Sequence, residues 1–362
     1  MTYQTRDATQ VQHTDDPPLV ARLARARGVR ASVCAWAGVN ALLLGIAVFA
    51  AVFIGILLIA SLFKGHLGEK IQAVAFVGPT VVLIAVGLIY PAILTIRRAF
   101  YSGKFFDLNF GTPRTRGKYV GFENFQALWT TPGLPAVFRN TLFWVILVPL
   151  LATGLGLLYA ILIDRAKGEA VAKALIFLPM AISMVGATLI WKFVYYFVGD
   201  PTGSQVGLIN AFLTTIGMKP IDFLGNAPGN TFAMIVIMVW IQAGFAMTVL
   251  SAAIKAIPDE IIEAANMDGV KGLQMFRFIT LPSIRSSVIV VLTTIAIATL
   301  KAFDIVQASS GGKLGDSVLA NEFYNRSFVT QQPGLGAAIA IVIFLLVSPI
   351  IVFNVIQMRK DA

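Results

Sequence analysis

The sequence has very little of the chemistry from which enzymes and metal sites are usually built. Its 362 residues include one cysteine, Cys34, and two histidines, His13 and His66. A single cysteine excludes an intrachain disulfide and a cysteine-based metal site. The two histidines both fall in polar stretches and suggest neither a catalytic nor a metal-binding cluster. Only 13% of the residues are charged, against roughly a quarter in a soluble domain.

Long apolar runs take the place of the missing charge. Hydrophobic residues make up 57% of the chain and the mean hydropathy is +0.80. A helix of about 20 mostly apolar residues crosses the hydrocarbon core of a membrane. The sequence therefore predicts an all-α, polytopic transmembrane helix bundle with six core helices, over residues 71–96, 138–163, 171–196, 230–255, 285–305 and 335–357.

The N-terminal 70 residues precede that core. Residues 1–30 are polar and then basic, which indicates a cytoplasmic or interfacial tail. The apolar run over 31–63 would be roughly 50 Å long as one helix, which is long for one tilted span and short for two. We expect an extra N-terminal transmembrane segment and connector over 31–70, of one span or two, before the helical core over 71–362. The side of the membrane on which the N-terminus lies depends on that number.

The net charge of +10 has two interpretations. Arginine and lysine concentrated on cytoplasmic loops and tails explain it in a membrane protein. Nucleic-acid binding is the other interpretation of a pI near 9.8, but no basic stripe with interleaved aromatics supports it. The expected partner is therefore the lipid membrane, with no nucleic acid.

One long polar stretch interrupts the apolar second half of the chain. Residues 257–282 read IPDEIIEAANMDGVKGLQMFRFITLP. Pro258 and the two acids after it suit the first turn of a helix, and Gly269 suits its left-handed end. Pro282 is expected to stop a second short helix over about 270–278. The apolar side of the first helix is expected to comprise Ile261, Ile262, Ala265 and Met267. A connection of this length favours a helix–turn–helix that docks another protein.

Several residues of this stretch form a known pattern. They are Glu263, Ala264, Ala265, Asp268, Gly269, Phe276, Leu281 and Pro282. In this spacing they resemble the EAA loop of permease subunits of binding-protein-dependent ABC importers, and we call residues 257–282 the EAA segment. Val270 and Ser286 depart from the family's usual Ala and Pro. With residues 119–125, the resemblance extends over about 71–358 and is strongest to the larger, maltose-transporter-like permease of carbohydrate importers.

The resemblance implies a function and a set of partners. The chain would be a multi-pass subunit of a prokaryotic cytoplasmic (inner) membrane that imports a sugar, such as an oligosaccharide or an α-glucoside. It would work with a second permease subunit, two ATPase subunits and an external solute-binding protein. ATP and magnesium would bind to the ATPase subunits, and this chain would be non-catalytic and hold no cofactor. Its Gly311–Gly315 stretch lacks the spacing and the Ser or Thr of a phosphate loop.

The resemblance also implies roles for individual residues. The EAA residues would couple to the ATPase: Glu263 would offer a carboxylate to a basic partner, Ala264 and Ala265 would permit close approach, and Gly269 would make the turn. The helices that flank the EAA segment would help to line the substrate cavity.

Two groups of residues on those flanking helices are candidates for the substrate pathway. Trp240, Gln242 and Phe245 combine ring faces with an amide, a mixture that suits sugars, although the aromatics could equally be packing residues. Lys301 and Asp304 are three apart on one expected helical face. Ionisable groups within a span usually mark a pathway, although these two could simply pair near the outer end.

Other functions stay open from the sequence. A secondary transporter driven by an ion gradient would show inverted repeats with broken helices, and neither is visible in the sequence. A membrane-embedded enzyme would need more clustered ionisable residues than Lys301 and Asp304. An ABC permease for a non-sugar polar solute, such as a glycerol-phosphate, also fits the pattern.

Overall fold

The computed structural model of the chain describes residues 66–102, 117–164, 166–199 and 204–361, with isolated residues between 40 and 58. The basic tail over 1–30 and most of the apolar run over 31–63 lie outside the described residues. The number of spans in that run therefore stays a prediction. By internal contacts the chain divides into two units, Met1–Pro91 and Ala92–Ala362. The second unit contains all the candidate site residues.

Helices form nearly all the regular structure of the described residues, which contain no strand beyond one isolated bridge between Tyr101 and Tyr119. In chain order the α-helices are α1 (His66–Ile84), α2 (Tyr90–Arg98), α3 (Glu123–Thr130), α4 (Leu134–Ile163), α5 (Glu169–Phe177), α6 (Met184–Val194), α7 (Leu208–Thr215), α8 (Gly229–Lys255), α9 (Asp259–Met267), α10 (Leu273–Met275), α11 (Leu281–Ser283), α12 (Arg285–Leu300), α13 (Asp304–Ser309), α14 (Leu319–Tyr324) and α15 (Pro333–Asp361). Wider π turns occur at Ala85–Ile89, Phe276–Thr280 and Asn325–Val329, and a 3₁₀ turn at Leu178–Ala181.

The number of membrane-length helices agrees with the expected core. Four continuous helices are long and apolar enough to cross a membrane: Gly68–Arg98, Leu134–Ile163, Gly229–Lys255 and Pro333–Gln357. Two further candidates are bent pairs: Glu169–Ala181 with Met184–Val194 at 103°, and Leu273–Ser283 with Arg285–Leu300 at 71°. With each bent pair taken as one span, the described chain has six. The predicted all-α transmembrane fold class is confirmed.

The second short helix of the EAA segment differs from the prediction, because Pro282 does not stop it. The helical stretch runs over Leu273–Ser283 and contains the π turn Phe276–Thr280. A proline lacks an N–H and clashes with the carbonyl four residues earlier, and a widened turn just before it relieves that clash. The π turn Ala85–Ile89 precedes Pro91 in the same way. The proline is thus absorbed within the helix.

Helix α8 lies at the centre of the second unit, with 72% of its most apolar window buried. Glycines let its backbone touch two neighbours. A Cβ added to Gly156 of α4 would lie 2.4 Å from the Cβ of Ala246 and 2.7 Å from the backbone nitrogen of Met247. A Cβ added to Gly244 would lie 2.5 Å from the Ile176 carbonyl of α5. Small residues that permit such contact drive helix association in membranes, where lipid and side chains are equally apolar.

Candidate coupling and transport site

Helix α9 follows α8 after a connection of only three residues, 256–258. Pro258 has the extended backbone of an N-cap, and its carbonyl accepts the first bond, from the Ile261 N–H at 3.1 Å. Asp259 and Glu260 occupy the first turn, where the helix dipole favours negative charge. The acids lie in the first turn as predicted, whereas Pro258 is the N-cap and not the first helical residue.

The end of α9 is equally well defined. Gly269 has a φ of +79°. Its N–H donates to the Asn266 carbonyl, and the N–H of Val270 donates to the Ala265 carbonyl, each at 3.0 Å. These two bonds form a complete Schellman motif, so the left-handed end predicted at Gly269 is confirmed. With this cap at its end and two acids in its first turn, we expect α9 to behave as one short rigid element.

The predicted coupling residues differ in their accessibility. The exposed ones are Glu263, Ala264, Asp268, Gly269 and Pro282, whereas Phe276 and Leu281 are half-buried. Ala265 is only 6% exposed. A partner that docks on α9 can therefore reach Ala264, while the close approach at Ala265 is toward its own chain.

The sequence reading misplaced Met267, which is 89% exposed. It was expected on the apolar side of α9 with Ala265. Residues two apart differ by about 200° around a helix, so these two cannot share a face, and this spacing is the signal that sequence reasoning missed. Leu273, just after the turn, is 79% exposed. Two bare apolar side chains thus flank the turn at Gly269.

At the far ends of α4 and α8, two asparagines hold the loop over residues 310–318. The Nδ2 of Asn140 donates to the Gly315 and Ser317 carbonyls at 2.8 and 3.1 Å. The Nδ2 of Asn230 donates to the Leu314 carbonyl at 2.9 Å. Both asparagine side chains are buried. The glycine-rich stretch that superficially resembles a phosphate loop is thus a turn fastened by side-chain amides.

Replacing Asn140 by leucine should release this loop. The variant leaves the buried Ser317 carbonyl unpaired, at about 1–3 kcal/mol, and also removes the bond to the Gly315 carbonyl. A loss of one or two kcal/mol raises the population of the open form by a factor of about 5–30, so trypsin should cleave after the exposed Lys313 faster by a similar factor. The control is Asn226→Leu, because Asn226 is exposed and its side chain holds no part of the loop. Equal cleavage rates for both variants would contradict this role of Asn140.

The family model described as "Binding-protein-dependent transport system inner membrane component" matches residues 135–360, more than half of the chain. The chain belongs to this family. The resemblance seen in the sequence is confirmed, and the protein is a membrane-embedded permease component of an ABC importer.

Known relatives match most of this permease. It is 41% identical over 287 residues to the osmoprotective compounds uptake permease protein GgtC of Synechocystis sp., covering 79% of this chain and 98% of that relative. It is 37% identical over 299 residues to the alpha-glucoside transport system permease protein AglF of Rhizobium meliloti, covering 82% and 85%. A crystal structure of a bacterial ABC transporter for the acidic polysaccharide alginate contains a chain that matches with a TM-score of 0.67, over 82% of this chain and 99% of that one. At 22% identity, this likeness shows the fold alone.

The expected pathway residues on α8 do not all lie on one face of that helix. Gln242 and Phe245 lie about 200° and 140° around the helix from Trp240. Trp240 packs edge-to-face on Trp191 of α6, with ring centroids 5.8 Å apart, and both Trp240 and Phe245 pack against the hydrophobic core. Gln242 is 9% exposed, and its amide forms no hydrogen bond within the described part of the chain. Among the described residues no hydrogen bond occupies the indole N–H of Trp240 either, so Gln242 offers a donor and an acceptor, Trp240 offers one donor, and Phe245 offers neither.

Lys301 and Asp304 do not share a helix, contrary to the expectation. Lys301 is the C-cap of α12, and Asp304 is the first residue of α13. The two residues between them are not helical. Both side chains are exposed, and no ion pair joins these two described residues. Within the described ranges, no group of three or more His, Cys, Asp or Glu could hold a metal ion. The pair stays a pathway candidate only through its charge.

Proposed function

We propose that the permease carries a sugar, such as an oligosaccharide or an α-glucoside, across the inner membrane together with a sister permease. Two ATPase subunits, which bind ATP and magnesium, dock on the EAA segments, and an external solute-binding protein delivers the sugar. The observation that carries this proposal is α9 itself. It is a capped helix that exposes Glu263, Ala264 and Met267 and joins the central helix through three residues.

The charge distribution supports a cytoplasmic EAA segment. Lys255, at the end of α8, contacts Asp164, which follows α4, so the 164–169 connector lies at the same end of the bundle as the EAA segment. That connector carries Arg165 and Lys167. Short connectors with lysine and arginine favour the cytoplasmic side, the compartment in which ATP is available.

The exposed groups of α9 suit docking into a cleft. Met267 and Leu273 offer apolar surface beside the Gly269 turn, and methionine adapts its shape to irregular pockets. Glu263 offers a carboxylate to a basic partner. Closure of the ATPase subunits around ATP would move this rigid helix as a body, and the movement would reach the bundle through α8.

The substrate pathway is proposed to run along α8 past Gln242. Beside it, the helical pair α5–α6 breaks with a bend of 103° between Ala181 and Met184. Non-helical backbone at membrane depth is tolerated only where protein covers it or it lines a wet cavity. The amide of Gln242 would offer hydrogen bonds to a hydroxyl-rich solute. Trp240 is proposed to shape this region by packing on Trp191.

The named relatives support the class of substrate. One is named for alpha-glucoside transport and the other for uptake of osmoprotective compounds. Both names suit small polar solutes. A buried amide with few charges nearby fits a neutral solute of this kind better than a strongly anionic one.

Crosslinking combined with transport tests the proposal. In a Cys34→Ser background, Met267→Cys should crosslink to the ATPase subunit co-expressed with the permease, whereas Lys313→Cys, on the fastened loop at the far ends of α4 and α8, should not. Vesicles that contain the whole complex and its binding protein should take up labelled sugar only with ATP. Uptake that continues without ATP and follows a proton or sodium gradient would overturn the proposal, as would equal crosslinking from both positions.

A further inference from the structure

A cluster of charged side chains lies at the C-terminal end of α8, just before the EAA segment, and we call this end the foot of α8. The Nζ of Lys173 lies 2.6 Å from the Glu169 carboxylate, and the Nζ of Lys255 contacts the same carboxylate oxygen. Lys255 also lies 3.6 Å from Asp164, and Lys173 donates to the hydroxyl of Ser251. Among the described residues, Glu169 therefore lies at the centre of a network that includes two cations and two anions.

This network joins three helices at one point. Asp164 directly follows α4, Glu169 is the first residue of α5, and Lys255 is the last residue of α8. From Lys255 only residues 256–258 lead to the first residue of α9. On the N-terminal side of α9, its movement therefore reaches the bundle at the position where this network holds α8.

The apolar packing of α8 weakens at this same position. Ser251 is buried, but Ala252 and Lys255 are exposed, and Ala253 and Ile254 are only half-buried. Ala253 and Ile254 still pack against the hydrophobic core, but less completely than the residues before them. The ion network adds a second, polar attachment of this turn to α4 and α5. The side chains of Asp164, Glu169 and Lys173 are 17%, 23% and 24% exposed, whereas that of Lys255 is 49% exposed. Salt therefore screens the three partly buried charges less than it screens fully exposed ones.

We propose that Glu169 and Lys255 are positioning residues that lock the foot of α8 to α4 and α5, so that movement of α9 drives all three helices together. The inference rests on the proposed function. It identifies the attachment of α8 to α4 and α5 through Glu169 and Lys255, which we call the joint, as the place where movement of α9 enters the bundle. Without the network, the last turn of α8 would bend or fray as α9 moved, and part of the displacement would be lost before it reached the pathway. ATP hydrolysis would then continue with less transport.

The test measures sugar uptake per ATP hydrolysed by the complete importer in vesicles. Lys255→Met should lower this ratio about fivefold, a typical size for coupling between sites, with a normal amount of assembled complex in the membrane. Lys255→Arg, which keeps the charge and the donors, should restore most of it. Because both residues act in one joint, Glu169→Gln with Lys255→Met should be no worse than the more damaging single variant. The control is Lys167→Met, because Lys167 is exposed in the same connector and lies outside the network.

The outcomes separate the joint from the proposed function. An unchanged ratio for Lys255→Met beside an active wild type would overturn the joint alone. So would a variant that reduces the amount of complex but leaves uptake per ATP unchanged, because the network would then be purely structural. An intact wild-type complex that hydrolyses ATP and imports no sugar would contradict the proposed function. The proposal that α9 transmits movement to the pathway would then fail as well.

Discussion

The Glu263→Lys variant should lose nearly all ATP-driven sugar uptake while it inserts into the membrane at the wild-type level. Glu263 is exposed on α9 and holds no described part of its own chain in place, so its replacement leaves the fold intact. Within the proposed complex, the new ammonium would face the basic partner expected for the carboxylate. A like-charge contact at an interface costs several kcal/mol, and each 1.4 kcal/mol corresponds to about tenfold in affinity.

A matched charge reversal makes this prediction specific. Glu123 is also an exposed glutamate on a short helix, the first residue of α3, and Glu123→Lys should leave uptake within about twofold of the wild type, as exposed charges away from contacts contribute little. The measurements are uptake, membrane level and co-purification of the ATPase subunit. Normal uptake by Glu263→Lys, or an equal loss in Glu123→Lys, would show that the carboxylate on α9 is not the contact.

The features that the sequence predicted correctly are local ones. Helix α9 starts just after Pro258 and ends just before Gly269, and both limits follow from backbone rules that act within a few residues. The apolar runs likewise reveal the spans, because a membrane demands length and hydrophobicity from each helix separately. The EAA pattern lies on a single connected stretch, so one sequence was sufficient to recognise it.

The features that the sequence missed depend on contacts between distant parts of the chain. Asn140 bonds to a loop 175 residues further on, and Lys255 meets a carboxylate 86 residues earlier. A single sequence contains no signal that pairs such positions. The two faces of α8 were missed for a different reason: Trp240 and Gln242 were judged by chemical type, although their spacing of two residues already placed them on opposite sides.

The Gly156→Leu variant should yield no folded permease. Gly156 has no room even for a Cβ, because the backbone and the Ala246 side chain of α8 occupy that position. Inserting one or two methylene groups into a packed core costs about 1–3 kcal/mol, and leucine adds a whole isobutyl group between two main chains. Helices α4 and α8 would have to separate along the crossing that forms the centre of the bundle, which is a loss comparable to the ~5–15 kcal/mol stability of a typical domain.

A neighbouring glycine on the same helix supplies the control. A Cβ on Gly154 would meet no atom of the described structure within 4 Å, so Gly154→Leu adds an apolar side chain on an open side of α4 and should be tolerated. In detergent, the wild type and Gly154→Leu should elute as one symmetrical peak, whereas Gly156→Leu should aggregate or be degraded before purification. A monodisperse Gly156→Leu protein with wild-type thermal stability would mean that α4 and α8 do not cross at this glycine. The proposal that movement of α9 is transmitted into the bundle through α8 would then lose its structural basis.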